Sequence, residues 1–220
     1  GRSTANAMFG NAASVLVGDF LFARAFELMV ETESLRALHI LARASSVIAE
    51  GEVLQLMNMH DPDLAVDEYL RVIRSKTAKL FEASARLGAI LAGADATLEA
   101  SCASYGRSLG TAFQLVDDLL DYDGETRELG KNVGDDLREG KPTLPLLIAM
   151  ERGTPAEREL IRHAIEHGEV QGLPQIVEVV RRTGALDATR AVAQLEADQA
   201  RSCLRVLPPS VARDALLELC

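Results

Sequence analysis

Gly110-Thr-Ala-Phe-Gln-Leu-Val-Asp-Asp-Leu-Leu-Asp-Tyr122 reads as the end of a long helix whose polar residues stand on one side. At 100° per residue and with Gln114 as zero, Asp117, Asp121 and Asp118 fall at roughly −60°, −20° and +40°. Arg107 and Thr111 fall on the same side, while Leu109, Ala112, Phe113, Leu115, Val116, Leu119 and Leu120 fill the opposite arc. A solvated face is one reading of such a stripe. Solvated faces, however, usually mix Lys or Arg with their acids at i,i+4, because bare like charges repel by about 0.2–0.5 kcal/mol per pair. The acids at 117, 118 and 121 lack that compensation. A bound cation is the second reading, since oxygen-only ligands suit Mg2+, with water and substrate phosphate completing its shell.

Outward from this helix the same three- and four-residue spacing of apolar side chains recurs. It predicts helices over roughly 11–31, 35–59, 66–92, 96–122, 143–151, 156–167, 173–182, 185–206 and 210–219. Asp61-Pro62-Asp63, Gly93, Gly124, Gly140, Pro142, Gly153-Thr154-Pro155, Gly168, Gly172, Gly184 and Pro208-Pro209 supply the breaks. No alternating strand pattern persists, so the fold class expected is all-α. The longest irregular segment, 124–142, is also the richest in Gly, Asp and Lys.

Composition narrows the function. With 48% hydrophobic and 25% charged residues the chain is of ordinary globular type, but aromatics are only 4% and Trp is absent, which predicts an aliphatic core. A net charge of −10 argues against a nucleic-acid or anionic-membrane partner. Cys102, Cys203 and Cys220 are odd in number and lack CxxC spacing, which fits a reduced, cytoplasmic setting. No apolar run reaches transmembrane length, and Gly1–Gly10 is no signal peptide. The chain reads as a single domain over 1–220. Its apolar helical patterns run close to both ends, which predicts a domain incomplete at the N-terminus and at the C-terminus.

Polar residues also interrupt the apolar stripes of other helices. Lys76 shares a face with Val72, Leu80, Ala83, Leu87 and Ile90; Asp19 sits among Ala12, Val15, Ala23 and Phe26; Glu52 and Gln55 sit among Leu41, Ile48, Leu56 and Met59. Each alone reads as an edge or snorkelling residue. Together they predict a central cavity into which several helices direct polar groups. The segment after Asp121 reads either as a solvated connector or as a lid. In the lid reading Lys131 and Lys141 meet phosphate oxygens and Asp135 helps hold metal-bound water. His163 and His167 have the spacing of a helical zinc pair but no third ligand, so they are expected to serve a helix C-terminus or face solvent.

The stretch 110–122 quoted above, with Leu129-Gly-Lys-Asn-Val-Gly-Asp-Asp-Leu137 and Glu139-Gly-Lys-Pro-Thr-Leu-Pro-Leu-Leu147, resembles the second aspartate-rich region of trans-polyprenyl diphosphate synthases. Ser75-Lys-Thr-Ala78 resembles their Lys-Thr pair, and Val15-Leu-Val-Gly-Asp-Phe-Leu21 the helix after their first metal motif. With Glu50-Gly-Glu-Val-Leu-Gln-Leu56, the run is most similar to bacterial octaprenyl diphosphate synthases. The resemblance implies an isoprenoid synthase-type helical bundle around a central cavity. It also implies Mg2+, the two substrates allylic diphosphate and isopentenyl diphosphate, and a homodimer. Farnesyl diphosphate is the implied primer and an octaprenyl quinone tail the implied product. It assigns Asp117, Asp118 and Asp121 to metal, with Asp135 acting through water. Lys76, Lys131 and Lys141 would hold the diphosphate, and Thr77 and Gln114 would face the allylic cation. The family's first DDxxD motif has no counterpart in these residues, so the early helices are expected to be missing and this chain alone to be inactive. A class I terpene cyclase and a non-catalytic partner subunit are the rival readings.

Overall fold

The computed structural model describes residues 4–123 and 133–220, and these form helices joined by short turns, with no strand among them. The chain divides into two compact units, residues 1–43 and 44–220. The first holds α1 (Ala5–Glu31) and the start of α2 (Leu35–Asn58). Gly10, at φ +81°, breaks α1, so the longer of its two helical runs begins where the periodic pattern does. None of the α1 residues is buried. Asp19 therefore lies exposed with Ala12, Val15 and Ala23 rather than facing a core as the stripe predicts. Periodicity reports which face of a helix is apolar, not which face is covered.

In the second unit the predicted helix over 66–92 is helical throughout but not uniformly α. It runs as α3 (Val66–Ile73), a π-helical turn (Arg74–Ala78) and α4 (Lys79–Leu91). Then come α5 (Ala96–Leu120), a single turn α6 (Asp135–Arg138), α7 (Leu144–Arg152), α8 (Pro155–His167), α9 (Leu173–Arg182), α10 (Ala185–Cys203) and α11 (Val211–Glu218). Local sequence explains the starts: Asp95 accepts the Leu98 N–H at 2.8 Å, and Thr154 with Glu157 closes a capping box at α8.

Helix α5 is the axis of this unit, packed along α4 on one side and α10 on the other. Two glycines set how closely the neighbouring helix approaches: a Cβ on Gly106 would meet the Phe81 carbonyl oxygen of α4, and one on Gly110 would lie 2.7 Å from Ala78 Cα in the π turn. The core beneath is aliphatic as expected, built on Leu115, Leu119, Leu137, Leu146, Ile161, Ile165, Ile176 and Val180, with Tyr69 and Tyr122 as its only aromatic members among the described residues. The apolar arc of α5 is wider than its covered face, however: Phe113 and Val116 are exposed, as is Leu56 on α2. No helix among the described residues is long and apolar enough to cross a membrane.

Candidate functional site

The polar residues that the sequence sets on apolar stripes converge, within the second unit, on one cavity of about 300 Å³. Glu52 and Gln55 reach it from α2, Lys76 and Thr77 from the π turn, and Gln114, Asp117 and Asp118 from α5. Asp136, Lys141 and Thr143 reach it from the segment between α6 and α7, and Met59, Leu64, Val72 and Ile73 supply apolar wall. Val47 and Ile48 are half-buried but do not line it.

The π turn places Lys76 and Thr77, adjacent in sequence, on the same wall. Such turns widen a helix by one residue and recur at functional sites. Here the turn lies against α2 with no room to spare, since a Cβ on Gly51 would be 2.7 Å from the Lys76 backbone nitrogen. From the turn, Lys76 Nζ donates to Gln55 Oε1 at 2.6 Å, and Thr77 Oγ1 donates to Gln114 Oε1 at 2.8 Å.

The three α5 aspartates do three different things. Asp117 borders the cavity. Asp118, 4% exposed, accepts from the Tyr69 hydroxyl at 2.5 Å on one oxygen and from Gln114 Nε2 at 2.8 Å on the other. Burial pushes its pKa up to about 7, with Asp136 and Asp117 adding to the rise, although the bonds from Tyr69 and Gln114 favour the charged form. Asp121 is turned to the returning chain. Its oxygens accept the Asp135 and Asp136 N–H groups at 3.2 and 3.1 Å, satisfying donors that a helix start leaves open. Burial, with help from Asp136, pushes the Asp121 pKa up to about 6.

Of the two carboxylates that open α6, the inner one is Asp136. Asp135 is half exposed and paired with Arg138, whereas Asp136 lines the cavity and accepts from Lys141 Nζ at 3.1 Å. Burial by itself would lower the Lys141 pKa, but the Glu139 and Asp136 carboxylates outweigh it and hold the ammonium above its ordinary value. Lys131 lies outside the described residues. His163 and His167 stack on each other, ring centroids 4.3 Å apart, and the His167 ring hydrogen-bonds the His163 carbonyl one turn back.

Three of these residues were not singled out in the sequence. Tyr69 carries a usable signal, since it stands two α-turns before Lys76 and hence on the same face. Asp136 and Thr143 carry none, because the facing of residues in an irregular segment has no period.

Among the described residues no group of three His, Cys, Asp or Glu side chains converges to hold a metal unaided. The donor set nonetheless fits a hard divalent cation. Burial and the neighbouring carboxylates raise the pKa values of Asp118 and Asp121, an imbalance that a cation would relieve. Mg2+ is characteristically held by one or two carboxylates with substrate phosphate and water supplying the rest. Thr143 Oγ1, buried at the cavity edge with no hydrogen-bond partner among the described residues, is a further group that a bound ligand could satisfy.

Comparison with known proteins gives a consistent picture. The family model "Polyprenyl synthetase" matches residues 1–180. The octaprenyl diphosphate synthase of Escherichia coli K12 is 56% identical over 220 residues, all of this chain and 68% of that protein. An all-trans-nonaprenyl-diphosphate synthase of Rhodobacter capsulatus is 45% identical over 219 residues, 67% of its length. The crystal structure of a polyprenyl synthase from Caulobacter crescentus CB15, complexed with calcium and isoprenyl diphosphate, superposes with a TM-score of 0.93 at 52% identity, covering all of this chain and 67% of that one.

Proposed function

The chain belongs to the polyprenyl synthetase family, and on that premise we propose that it elongates an allylic diphosphate by repeated condensation with isopentenyl diphosphate. It is a prenyltransferase of the long-chain trans class. The observation that carries the residue-level reading is the single cavity in which two ammonium groups, a set of carboxylates and two neutral oxygens meet from four elements.

In this reading Lys76 and Lys141, with Lys131, grip diphosphate oxygens, and Asp117 and Asp118 hold a divalent cation, which we take to be Mg2+. Asp121 contributes to that site by fixing the return of the chain at Asp135 and Asp136, and Asp135 through water. When bound, the cation would neutralise charge on the departing diphosphate. The primer's C–O bond breaks, its allylic carbon bonds the double bond of isopentenyl diphosphate, and the proton then lost passes to a pyrophosphate oxygen. Thr77 and Gln114 offer oxygen dipoles to the transient cation, and the apolar wall of Met59, Leu64, Val72 and Ile73 keeps water from it. That apolar part of an otherwise polar lining suits a hydrocarbon group. We further take an octaprenyl product, supported by the likeness to octaprenyl synthases, and, as the family resemblance implies, farnesyl diphosphate as primer, a homodimer and a cytoplasmic location.

Radiolabelled isopentenyl diphosphate supplied to the complete protein with a farnesyl primer tests this. Octaprenyl alcohol is expected after dephosphorylation, and a dominant short product would refute the long-chain assignment. Asp117→Ala should lower kcat more than about a hundredfold, roughly 2.7 kcal/mol; a loss within about tenfold would sink the metal role.

A further inference from the structure

Tyr69 is the one residue reaching the cavity from α3 with a hydroxyl, and that hydroxyl is committed. Its side chain is 4% exposed and donates to Asp118 at 2.5 Å across 49 residues of sequence. A buried hydroxyl needs a partner, and a buried carboxylate needs donors, so each satisfies the other. The consequences travel further because a carboxylate only accepts. Gln114 must therefore turn its Nε2 toward Asp118, at 2.8 Å, which leaves its Oε1 toward Thr77. Thr77 must then spend its proton on Gln114 Oε1, at 2.8 Å. The lone pairs of Thr77 Oγ1 are left over, and Thr77 lines the cavity. The polarity of the whole chain is set at its Asp118 end.

We propose that Tyr69 is a positioning residue of the reaction: by holding Asp118 as an acceptor it fixes the direction of the Asp118–Gln114–Thr77 chain, so that Thr77 presents lone pairs, not a proton, to the reacting carbon. This rests on the reading of the cavity given above. A hydroxyl turned the other way would set a positive hydrogen against a carbocation, and a freely turning one would reach the productive direction only part of the time. Tyr122 gives the matching control. It is a second buried tyrosine beside the same helix, whose hydroxyl comes near Thr143 without the geometry of a hydrogen bond and finds no other partner among the described residues.

The test is a double-mutant cycle in the complete protein, read as kcat for isopentenyl diphosphate incorporation. Tyr69→Phe is expected to lower kcat about tenfold, equivalent to about 1.4 kcal/mol, with KM for isopentenyl diphosphate within about twofold. Thr77→Val should lose at least as much, Thr77→Ser should recover most of it, and Tyr122→Phe should stay within about twofold. The deciding quantity is the Tyr69→Phe, Thr77→Val double variant, which should be no slower than Thr77→Val alone, because one chain cannot be broken twice. Additive losses, or a Tyr69→Phe enzyme at wild-type kcat, would overturn the proposal. Should Tyr69→Phe not fold, Gln114→Leu with Thr77→Val forms the same cycle, and additivity there overturns it equally. An Asp117→Ala enzyme that stays active would instead sink the reading of the cavity, so the two failures are distinguishable.

Discussion

Replacing Gly51 with alanine puts a methyl group 2.7 Å from the Lys76 backbone nitrogen, 2.8 Å from Ser75 Cβ and 3.0 Å from the Ser75 carbonyl carbon. Carbon contacts are comfortable at about 3.5–4.0 Å, so roughly an ångström must come from somewhere. Most of the obstructing atoms are backbone of the π turn, which cannot rotate aside as a side-chain tip can. Helix α2 and the π turn must therefore part, at the cost of about 1–3 kcal/mol usual for overpacking. Taking about 2 kcal/mol, the melting temperature should fall by roughly 4–8 °C for a chain of this size. The damage is also aimed, because the atoms displaced belong to Lys76 and its amide partner Gln55 rides on α2 itself. We expect kcat/KM for the allylic diphosphate to drop at least about tenfold. Gly88→Ala is the control. It sits inside α4 with nothing within 4 Å of its added Cβ, so it should stabilise by about 0.4–1 kcal/mol and leave the kinetics alone. Scanning calorimetry and steady-state kinetics on both variants decide the matter. A Gly51→Ala protein with unchanged melting and unchanged kcat/KM would refute the claim that close approach at Gly51 fixes the π turn.

Burial raises the Asp118 pKa from 3.8 to about 7, so its contribution to stability is fully present below pH 3.8 and is lost as pH rises through about 7. The metal-free protein should therefore melt lower at pH 8 than at pH 5, by a term on the order of 3 kcal/mol from this group. Magnesium pyrophosphate should flatten that fall in calorimetry, and a melting temperature that rises with pH without metal would contradict it. Lys76→Met and Lys141→Met should each reduce kcat/KM for the allylic diphosphate by about a hundredfold, about 2.7 kcal/mol, with helical circular dichroism unchanged; activity within about threefold would remove that residue from the diphosphate site. Thr154→Ala breaks the α8 capping box and should cost about 1 kcal/mol in urea denaturation while leaving turnover untouched.

The sequence by itself determined the elements. Periodic apolar spacing and Gly, Pro and Asp punctuation place most helices to within a residue or two, since both signals are local; the single turn α6, inside the segment read as irregular, and the part of α1 before Gly10 are the exceptions. It also determined which polar residues are anomalous: Lys76 and Gln55 interrupt apolar stripes, and Gln114 stands with Asp117, Asp118 and Asp121 in an acidic stripe that lacks basic partners. What those anomalies meet is a matter of tertiary structure. The acids at 117, 118 and 121 read as one stripe, yet their neighbours give them separate work: Asp117 borders the cavity, Asp118 is bound by Tyr69 and Gln114, and Asp121 accepts the α6 amides. The choice of Asp136 over Asp135 for the cavity follows from how α6 docks. The π turn was invisible because α and π turns differ by one hydrogen-bond register; Gly51 and Gly110 admit that turn close to α2 and α5. Phe113, Val116 and the apolar side of α1 lie exposed. A pattern of side chains tells a helix which face is apolar, and only packing decides which face is covered.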